Sequence, residues 1–587
     1  MKSIFKYELL GKVDFGNEIE CILKLNGITD IDGFLNPNPQ AVENPHAFKN
    51  IDKAASLLLC HLNNGDCITI VVDSDADGYT SASLIYQYIL KIYPDTKLQY
   101  VIHNGKEHGL SDVVFEIINS GCQLVIVPDA GTSDVSEIEM LKNHNVDVII
   151  LDHHICTRGE PYLNDYHATV VNNQMSENIT DKAMTGVGVT YKFCKILDEQ
   201  CSVNYADDFL DLLCLGMIAD RCNMLNPQSR FLILQGLTEI SEQKGKNLFI
   251  RTLVEAQSYS LGNEVTINGI GFYVAPLVNS LIRYGTYEDK CYMFEAFCNS
   301  DKTLIRKVRG QGEVELPIQE YVLKSCQSCN RIQKAEIEES IKLLTTDIEA
   351  HDLHQYPVIV CNAKDSVDKN ATGLIANKLT SVYKKPCLVL RRYGDVCSGS
   401  ARGFSRGLIL NFNKWCVETK LFDYVEGHDN AFGISIPFKN TDKLFNMLSQ
   451  LPASTDVTYP VYNVYDNNTL SDVVVKNIGK YSYLWGSGVE EPLFAVKEVV
   501  CNKYNINLVG LKQNRIEFSW HNIEFVMFSK GGSLASLYKD IVTTGENINF
   551  TIIGKFNIDT FKGSNKAQVL IEDLLFEKSD IPSGFGF

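Results

Sequence analysis

The chain reads as a multidomain α/β protein built on a parallel sheet, with a long connecting helix, a second α/β domain and a C-terminal region of short strands. Three observations predict this. Short apolar, β-branched runs alternate with amphipathic helices in the first half. A polar, helix-prone stretch fills 318–349. From about residue 455 short strands alternate with polar turns. The 587 residues include 45% hydrophobic and 21% charged residues, which excludes a disordered or collagen-like chain.

Taken in order, residues 1–65 read as a helical lead-in with loops, among them Asn-Pro-Asn-Pro-Gln at 36–40. Residues 68–72 (ITIVV) form a buried strand, and Asp73 follows at once. Ile85, Tyr88, Ile89 and Ile92 then share one face of a helix. Strands at 124–127 and 148–151 follow, trailed by Asp129 and Asp152. In an open parallel sheet the ligand site lies beyond the carboxyl ends of the strands, so these carboxylates converge on one edge. A helix opens near Met184, and another runs from Phe209 to Ile218 and ends at Ala219-Asp220. The helix at 318–349 carries charged faces suited to an exposed connector. A second α/β unit has strands at 358–360 and 388–390 around a helix at 369–383. The last strands, at 493–499, 504–511, 515–519, 523–528, 548–555 and 566–575, suggest a small antiparallel barrel. The expected boundaries are 1–65, 66–317, 318–350, 351–454 and 455–587.

Acidic residues outnumber basic ones, 72 to 54, giving a net charge of −18. That argues against a protein that coats nucleic acid nonspecifically, but allows basic grooves around a carboxylate-rich metal site. The 18 cysteines follow no framework and many sit in apolar runs, as expected of reduced core residues in a cytosolic protein. No run approaches the ~18 apolar residues of a membrane span, and the N-terminus lacks a secretory pattern. A cytoplasmic location without membrane association is expected.

The sharpest local signal is Asp73-Ser74-Asp75-Ala76-Asp77-Gly78. Alternating carboxylates in a tight loop suit a hard cation. An EF-hand is excluded, because the twelfth position is Leu84 where a Glu is needed and a strand precedes the loop. Asp129 alone would read as a cap or turn residue, but its place on the same edge favours a ligand role. Asp152-His153-His154 sets two imidazoles after a buried strand. Asp220 meets the unfavourable end of a helix dipole, so something positive should offset it. Asp73, Asp75, Asp129, His153 and Asp220 could together hold two divalent cations, with Asp129 as a bridge. Imidazole among carboxylates favours Mn²⁺ over Mg²⁺. Such a pair, ~3.5–4 Å apart, hydrolyses phosphate esters. His154 could contact the scissile phosphate or protonate the leaving oxygen.

Together these motifs resemble the DHH phosphoesterase superfamily, and within it the RecJ-like single-stranded-DNA exonucleases. Residues 185–189 (TGVGV) are similar to the family's AGVGV segment, and 211–220 (DLLCLGMIAD) to its DLxALGTVAD segment. Pro276, Asn279 and Arg283 keep the spacing of its PRxNAAGR motif. Residues 398–403 (SGSARG) resemble the GSxR element of the DHH-associated domain, and 426–428 (EGH) its GGH loop. Trp485-Gly486 and 491–494 (EPLF) resemble the entry to the family's OB-fold. The resemblance spans nearly the whole chain. It implies a parallel-sheet DHH domain, a long helix, a DHH-associated α/β domain and a C-terminal OB-like β-barrel.

It also implies metal-dependent hydrolysis of single-stranded DNA, 5′→3′, releasing mononucleotides, in DNA repair or recombination. A single-strand-binding protein or a helicase would be the expected protein partner. Carried over by position, Asp73, Asp75, Asp129, His153 and Asp220 would ligate metal and His154 would contact phosphate. Asp152 would orient its neighbours. Asn279, Arg283, Ser400, Arg402 and His428 would line the nucleic-acid path, with Arg283, Ser400 and Arg402 anchoring a 5′-phosphate. His103 lies near a position where the family has Arg, and is read as a substrate-binding residue. Val71, Leu277 and Glu426 stand where the family often has His, Arg and Gly. Two rival readings are a short-oligonucleotide or cyclic-dinucleotide phosphodiesterase and a non-catalytic scaffold. The C-terminal strands disfavour the first, and the intact ligand set disfavours the second. Cys326 and Cys329 have CxxC spacing without a second pair, which makes a metal role improbable. Lys384-Lys385 and Arg391-Arg392 could face phosphates, although short basic pairs are usually just solvated, and Phe404, Trp415 and Trp485 could stack bases, with core packing at least as frequent for each of the three.

Overall fold

The computed structural model describes residues 5–579, except 15, 157–166, 243, 263, 309, 311, 364–366, 453–456, 531 and 561–562. The expected boundary at 454/455 lies outside the described residues. The chain divides into two compact units. One comprises Ile28–Arg331 with Tyr483–Glu490, and the other gathers the chain up to Gly27, Ile332–Ser482 and the chain from Glu491 onward.

The first strand of the chain, β1 (Phe5–Leu9), belongs to the second of these units. It pairs in parallel with a strand more than 400 residues away, Val457–Val461. The lead-in is therefore not helical throughout. FKYEL alternates apolar and polar residues, and Phe5 packs edge-on to Tyr459 with ring centroids 5.6 Å apart.

The unit from Ile28 is centred on a five-stranded parallel sheet of β2 (Ile68–Val72), β3 (Leu98–Ile102), β4 (Leu124–Pro128), β5 (Asp147–Asp152) and β6 (Ala168–Asn172). The spatial order is β3-β2-β4-β5-β6. The winding reverses between β2 and β4, so the ends of those two strands frame the crevice where such sheets bind ligands. β2 and β4 are wholly buried because helices cover both faces. Three helices bear on the site: α1 (Ala76–Ile92), α2 (Gly186–Cys201) and α3 (Leu210–Ala219). α3 is buried on nearly every side, as its run DLLCLGMIA requires. A helical stretch then runs without a break from Ile267–Gly269 through a π-turn, Ile270–Val274, into α4 (Ala275–Tyr284). A hairpin follows, β7 (Thr303–Val308) with β8 (Gly312–Pro317).

The connecting helix α5 runs from Ile318 to Ala350. Beyond it lies a second sheet of β9 (Ile359–Asn362), β10 (Cys387–Tyr393), β11 (Val396–Arg402), β12 (Tyr424–His428) and β13 (Ala431–Pro437), in the order β12-β13-β11-β10-β9. Helix α6 (Thr372–Tyr383) packs on β10 and β11. After β14 (Val457–Val461) come β15 (Val464–Tyr465), β16 (Phe494–Asn502), β17 (Asn507–Val509), β18 (Arg515–Trp520), β19 (Ile523–Phe528), β20 (Asn547–Asp559) and β21 (Lys566–Lys578). They form one seven-stranded sheet in the order β15-β16-β20-β21-β19-β18-β17. The sheet is mixed where the sequence suggested antiparallel pairing. β21 returns alongside β19 in parallel after the chain has passed through a helix and β20. Within this unit the β21 carboxylates meet Arg406 and Lys384 from the preceding α/β domain and Lys530 from the loop after β19. Arg406 and Lys530 reach Glu572 at 3.2 and 2.5 Å, and Lys384 pairs with Asp573. No described helix is long and apolar enough to cross a membrane.

Candidate active site

The acidic loops lie together at the carboxyl edge of the β2–β6 sheet. Asp75 is the N-cap of α1, and its side chain accepts the Gly78 N–H at 2.9 Å. A Cβ on Gly78 would stand 2.6 Å from the Asp73 Cβ, so the turn closes this tightly only around glycine. Asp129 follows β4 with φ 69°, a left-handed conformation that Asp tolerates better than most residues. Its N–H donates to the Leu151 carbonyl at 2.7 Å, which locks the loop to β5. Across from it, a Cβ on Gly186 would stand 2.2 Å from Asp129 Oδ1, so α2 approaches the carboxylate with bare backbone. His153 follows β5, and Asp220 caps the carboxyl end of α3.

This convergence brings donor atoms of Asp73, Asp75 and Asp129 within 4.8 Å of one another. The same holds for Asp129, His153 and His154, and for Asp77, His153 and Asp220. Asp129 is 1% exposed, and its Oδ1 has no hydrogen-bond partner. Burial, then the charges of Asp77, Asp75, Asp73 and Asp220, push its carboxyl well above the usual range. Asp220 is raised by burial and by Asp77 and Asp75. A buried carboxylate oxygen without a donor, ringed by other carboxylates, is costly without a cation. The donor set of carboxylates with one imidazole fits divalent metal. His153 Nε2 lies 3.2 Å from Asp129 Oδ1 and 3.7 Å from Asp220 Oδ2. Burial and the neighbouring His154 hold the ring down to about 4, so it is neutral at pH 7, the form that ligates metal.

Asp152 has a different environment. One oxygen accepts the His153 and His154 N–H groups at 2.7 and 3.1 Å and His154 Nδ1 at 2.8 Å. The other accepts the Thr132 N–H at 3.0 Å. Although burial opposes ionisation, the His154 hydrogen bond and both histidine charges hold it well below the usual carboxylate range. Its lone pairs are committed to shaping the loop. His154 is half-exposed. Burial disfavours its charged form, but Asp152, Asp220 and Asp73 outweigh that and push it up to about 9. The ring is therefore a cation at neutral pH beside the carboxylate cluster.

Two residues escaped the sequence reading. Asp77 sits within the cluster, yet accepts the Gly186 and Val187 N–H groups at 2.8 and 3.0 Å, satisfying the start of α2. Burial, then Asp75, raises its carboxyl. Its position inside the DxDADG run was the available signal. His108, in the loop after β3, reaches Asp73 Oδ2 at 2.5 Å, and the adjacent Gly109 N–H donates to Oδ1 at 3.0 Å. Nothing in its local spacing marks it. His103 is fully buried, bonded to Asp112 at 2.6 Å and 3.8 Å from Asp73. It backs the carboxylate instead of facing solvent.

Arg283 lies on α4, where burial lowers its guanidinium and Tyr284, then Asp75, partly restore it. Asn279 is one turn earlier, half-buried. Ser400 and Arg402 belong to the other unit, on β11. Ser400 Oγ meets Thr372 Oγ1 at 2.9 Å, and an Arg402 Nη2 sits 2.9 Å from where a Gly373 Cβ would be. Arg402 Nη1 also donates to the Ala401 carbonyl at 2.7 Å. A hydroxyl, a guanidinium and the N-terminus of α6 thus share one spot, a combination suited to phosphate. His428 ends β12, and its side chain lies outside the described residues.

Of the other marked residues, Trp485 is 2% exposed and belongs to the core, out of reach of a base. Trp415 stacks on Phe412, and Phe404 packs beside the Tyr459 cluster. Lys385 is committed to the His354 and Tyr356 carbonyls. Arg391 and Arg392 lie over the rings of Tyr393 and Phe438. Cys326 and Cys329 are buried on α5, and neither forms a disulfide.

Residues 67–217 match the model of the DHH family, N-terminal domain. A Bacillus subtilis protein named as an SPbeta prophage-derived single-strand DNA-specific exonuclease, YorK, is 34% identical over 579 residues, 97% of this chain and 98% of that one. The single-stranded-DNA-specific exonuclease RecJ of Bacillus subtilis is 25% identical, covering 92% of this chain and 65% of its own. Among solved structures, RecJ from Thermus thermophilus in complex with Mn²⁺ superposes with a TM-score of 0.70 at 18% identity. That match covers 96% of this chain and 76% of the other.

Proposed function

The chain belongs to the RecJ-like family of single-strand-DNA-specific exonucleases, and from that membership we propose that it degrades single-stranded DNA from the 5′ end, releasing mononucleotides, with two divalent cations at the β2–β6 edge. The observation that carries this reading is the buried, unpartnered Asp129 Oδ1 amid carboxylates, a charge distribution that calls for metal. Asp73, Asp75, Asp129, His153 and Asp220 would hold the ions, Mn²⁺ favoured and Mg²⁺ second. Bound there, the ions would acidify a water and neutralise charge on the phosphate.

The protein's own groups do the rest. Asp152 fixes the backbone of the His153-His154 loop and fastens the His154 ring through Nδ1. His154, fastened to Asp152 through Nδ1, would contact the scissile phosphate and could give a proton to the leaving oxygen. Asp77 anchors α2, which keeps Gly186 against Asp129. Arg283, Ser400 and Arg402 bind phosphates of the strand, and the seven-stranded C-terminal sheet adds affinity for longer strands. A single-strand-binding protein or a helicase would supply the substrate.

The test is digestion of linear strands labelled at either end and of a circular single strand, with Mn²⁺, Mg²⁺ or chelator. Mononucleotides leaving the 5′ end of linear strands only, and no activity with chelator, are expected. Cutting of the circle would overturn the exonuclease reading. Release from the 3′ end would overturn the polarity alone.

A further inference from the structure

The helix that carries Asn279 and Arg283 contains a π-turn at Ile270–Val274. A π-turn fits one more residue into a turn and occurs frequently at functional sites. Here it leaves two consecutive aromatics facing outward. Phe272 is 72% and Tyr273 45% exposed, whereas Ile270 and Val274 on either side are buried. Exposing a large apolar ring to water has no folding benefit, and two in succession form a patch. Phe272 also precedes Asn279 and Arg283 by seven and eleven residues along the same unbroken helical stretch. The π-turn packs on the last turn of α3, since a Cβ on Gly271 would lie 3.5 Å from Ile218 Cγ2. Asp220 follows Ile218 by two residues. The turn that carries the exposed rings therefore adjoins the helix that ends at Asp220, and its own helix leads on to Arg283.

We propose that Phe272, with Tyr273 beside it, is a stacking platform for a base of the single strand whose phosphate Arg283 contacts. A nucleotide presents an apolar face and an anionic backbone side by side. An exposed ring followed by an Asn and an Arg along one helical stretch suits that alternation. Stacking tolerates any base, as an enzyme that digests strands of every sequence requires. The proposal rests on the exonuclease reading, and its test separates the two.

The measurement is fluorescence anisotropy of the full chain in metal-free buffer, so that nothing is cut. Two 5′-phosphorylated probes of ~12 residues are compared, oligothymidylate and an abasic strand of equal length. Phe272→Ala and Phe272→Leu should each weaken oligothymidylate binding about ten-fold and leave the abasic strand unchanged, and Phe272→Trp should restore it. Leucine keeps apolar bulk without a π-face, so a loss shared by both variants is not one of volume. Equal weakening on both probes, or no change on either, overturns the stacking role. A wild-type chain that binds and digests single strands while Phe272→Ala behaves identically rejects the platform and spares the exonuclease. A wild-type chain that binds neither probe rejects the platform, and one that also digests no single strand with Mn²⁺ rejects the exonuclease reading with it.

Discussion

The carboxylate edge of the β2–β6 sheet and the Ser400–Arg402 corner of β11 are both built from polar groups at the ends of secondary-structure elements, yet they balance charge in opposite ways. At the first, five carboxylates crowd together, and Asp129 Oδ1 is buried without a donor. At the second, each described group already has a partner in its own unit: Thr372 for Ser400, the Ala401 carbonyl for Arg402. A site that depends on a guest for neutrality acts as a unit. A site that is satisfied without its guest loses affinity one contact at a time.

The contrast orders the expected effects of substitution. Asp129→Ala should reduce hydrolysis to background and weaken Mn²⁺ binding measured by titration calorimetry, because a shared ligand is lost. Near-normal turnover at saturating metal would break the contrast at its strongest point. Asp152→Asn should cost about 10- to 100-fold in activity, the usual scale for a group that orients ligands. It should also lower the pH at which the His154 resonance titrates, since that carboxylate raises the ring. An unmoved titration would remove Asp152 from its orienting role. Arg402→Ala should lower kcat/KM roughly ten- to hundred-fold on 5′-phosphorylated strands and much less on 5′-hydroxyl strands. Equal loss on both would make Arg402 a general backbone contact. Ser400→Ala, which removes one neutral hydroxyl, should cost about two- to ten-fold on the same substrates. A loss as deep as that of Asp129→Ala would show the corner to be as cooperative as the metal edge.

The sheet that carries the carboxylates was legible because a fully buried parallel strand has a distinctive composition. ITIVV, LVIV and VIIL permit little else, and each ends in an acidic loop. The flanking strands LQYVI and ATVVN are less uniform, and they appear only once the sheet is assembled. Asp220 was legible through its conflict with a helix dipole. His108 was not, because its tie to Asp73 depends on how an irregular loop folds back. The parallel course of β21 beside β19 was equally hidden, since residue pattern specifies faces but not strand direction. β1 could not be inferred from residues 1–65 at all, because its partner lies near residue 459.

That last pairing has a consequence for synthesis. A ribosome adding about 5–20 residues per second needs roughly 20–90 s to travel from Phe5 to Val457. Throughout that interval FKYEL is a strand without a neighbour, while the unit beginning at Ile28 already has all but eight of its residues once Arg331 has emerged. The molecule is thus completed in a sequence that inverts its numbering. The β2–β6 sheet can mature early, and the strand Phe5–Leu9 finds its place only after Val457–Val461 has been made. An unpaired edge held open that long is an invitation to aggregation. Its lysine and glutamate, Lys6 and Glu8, supply the charge that natural edges use against it.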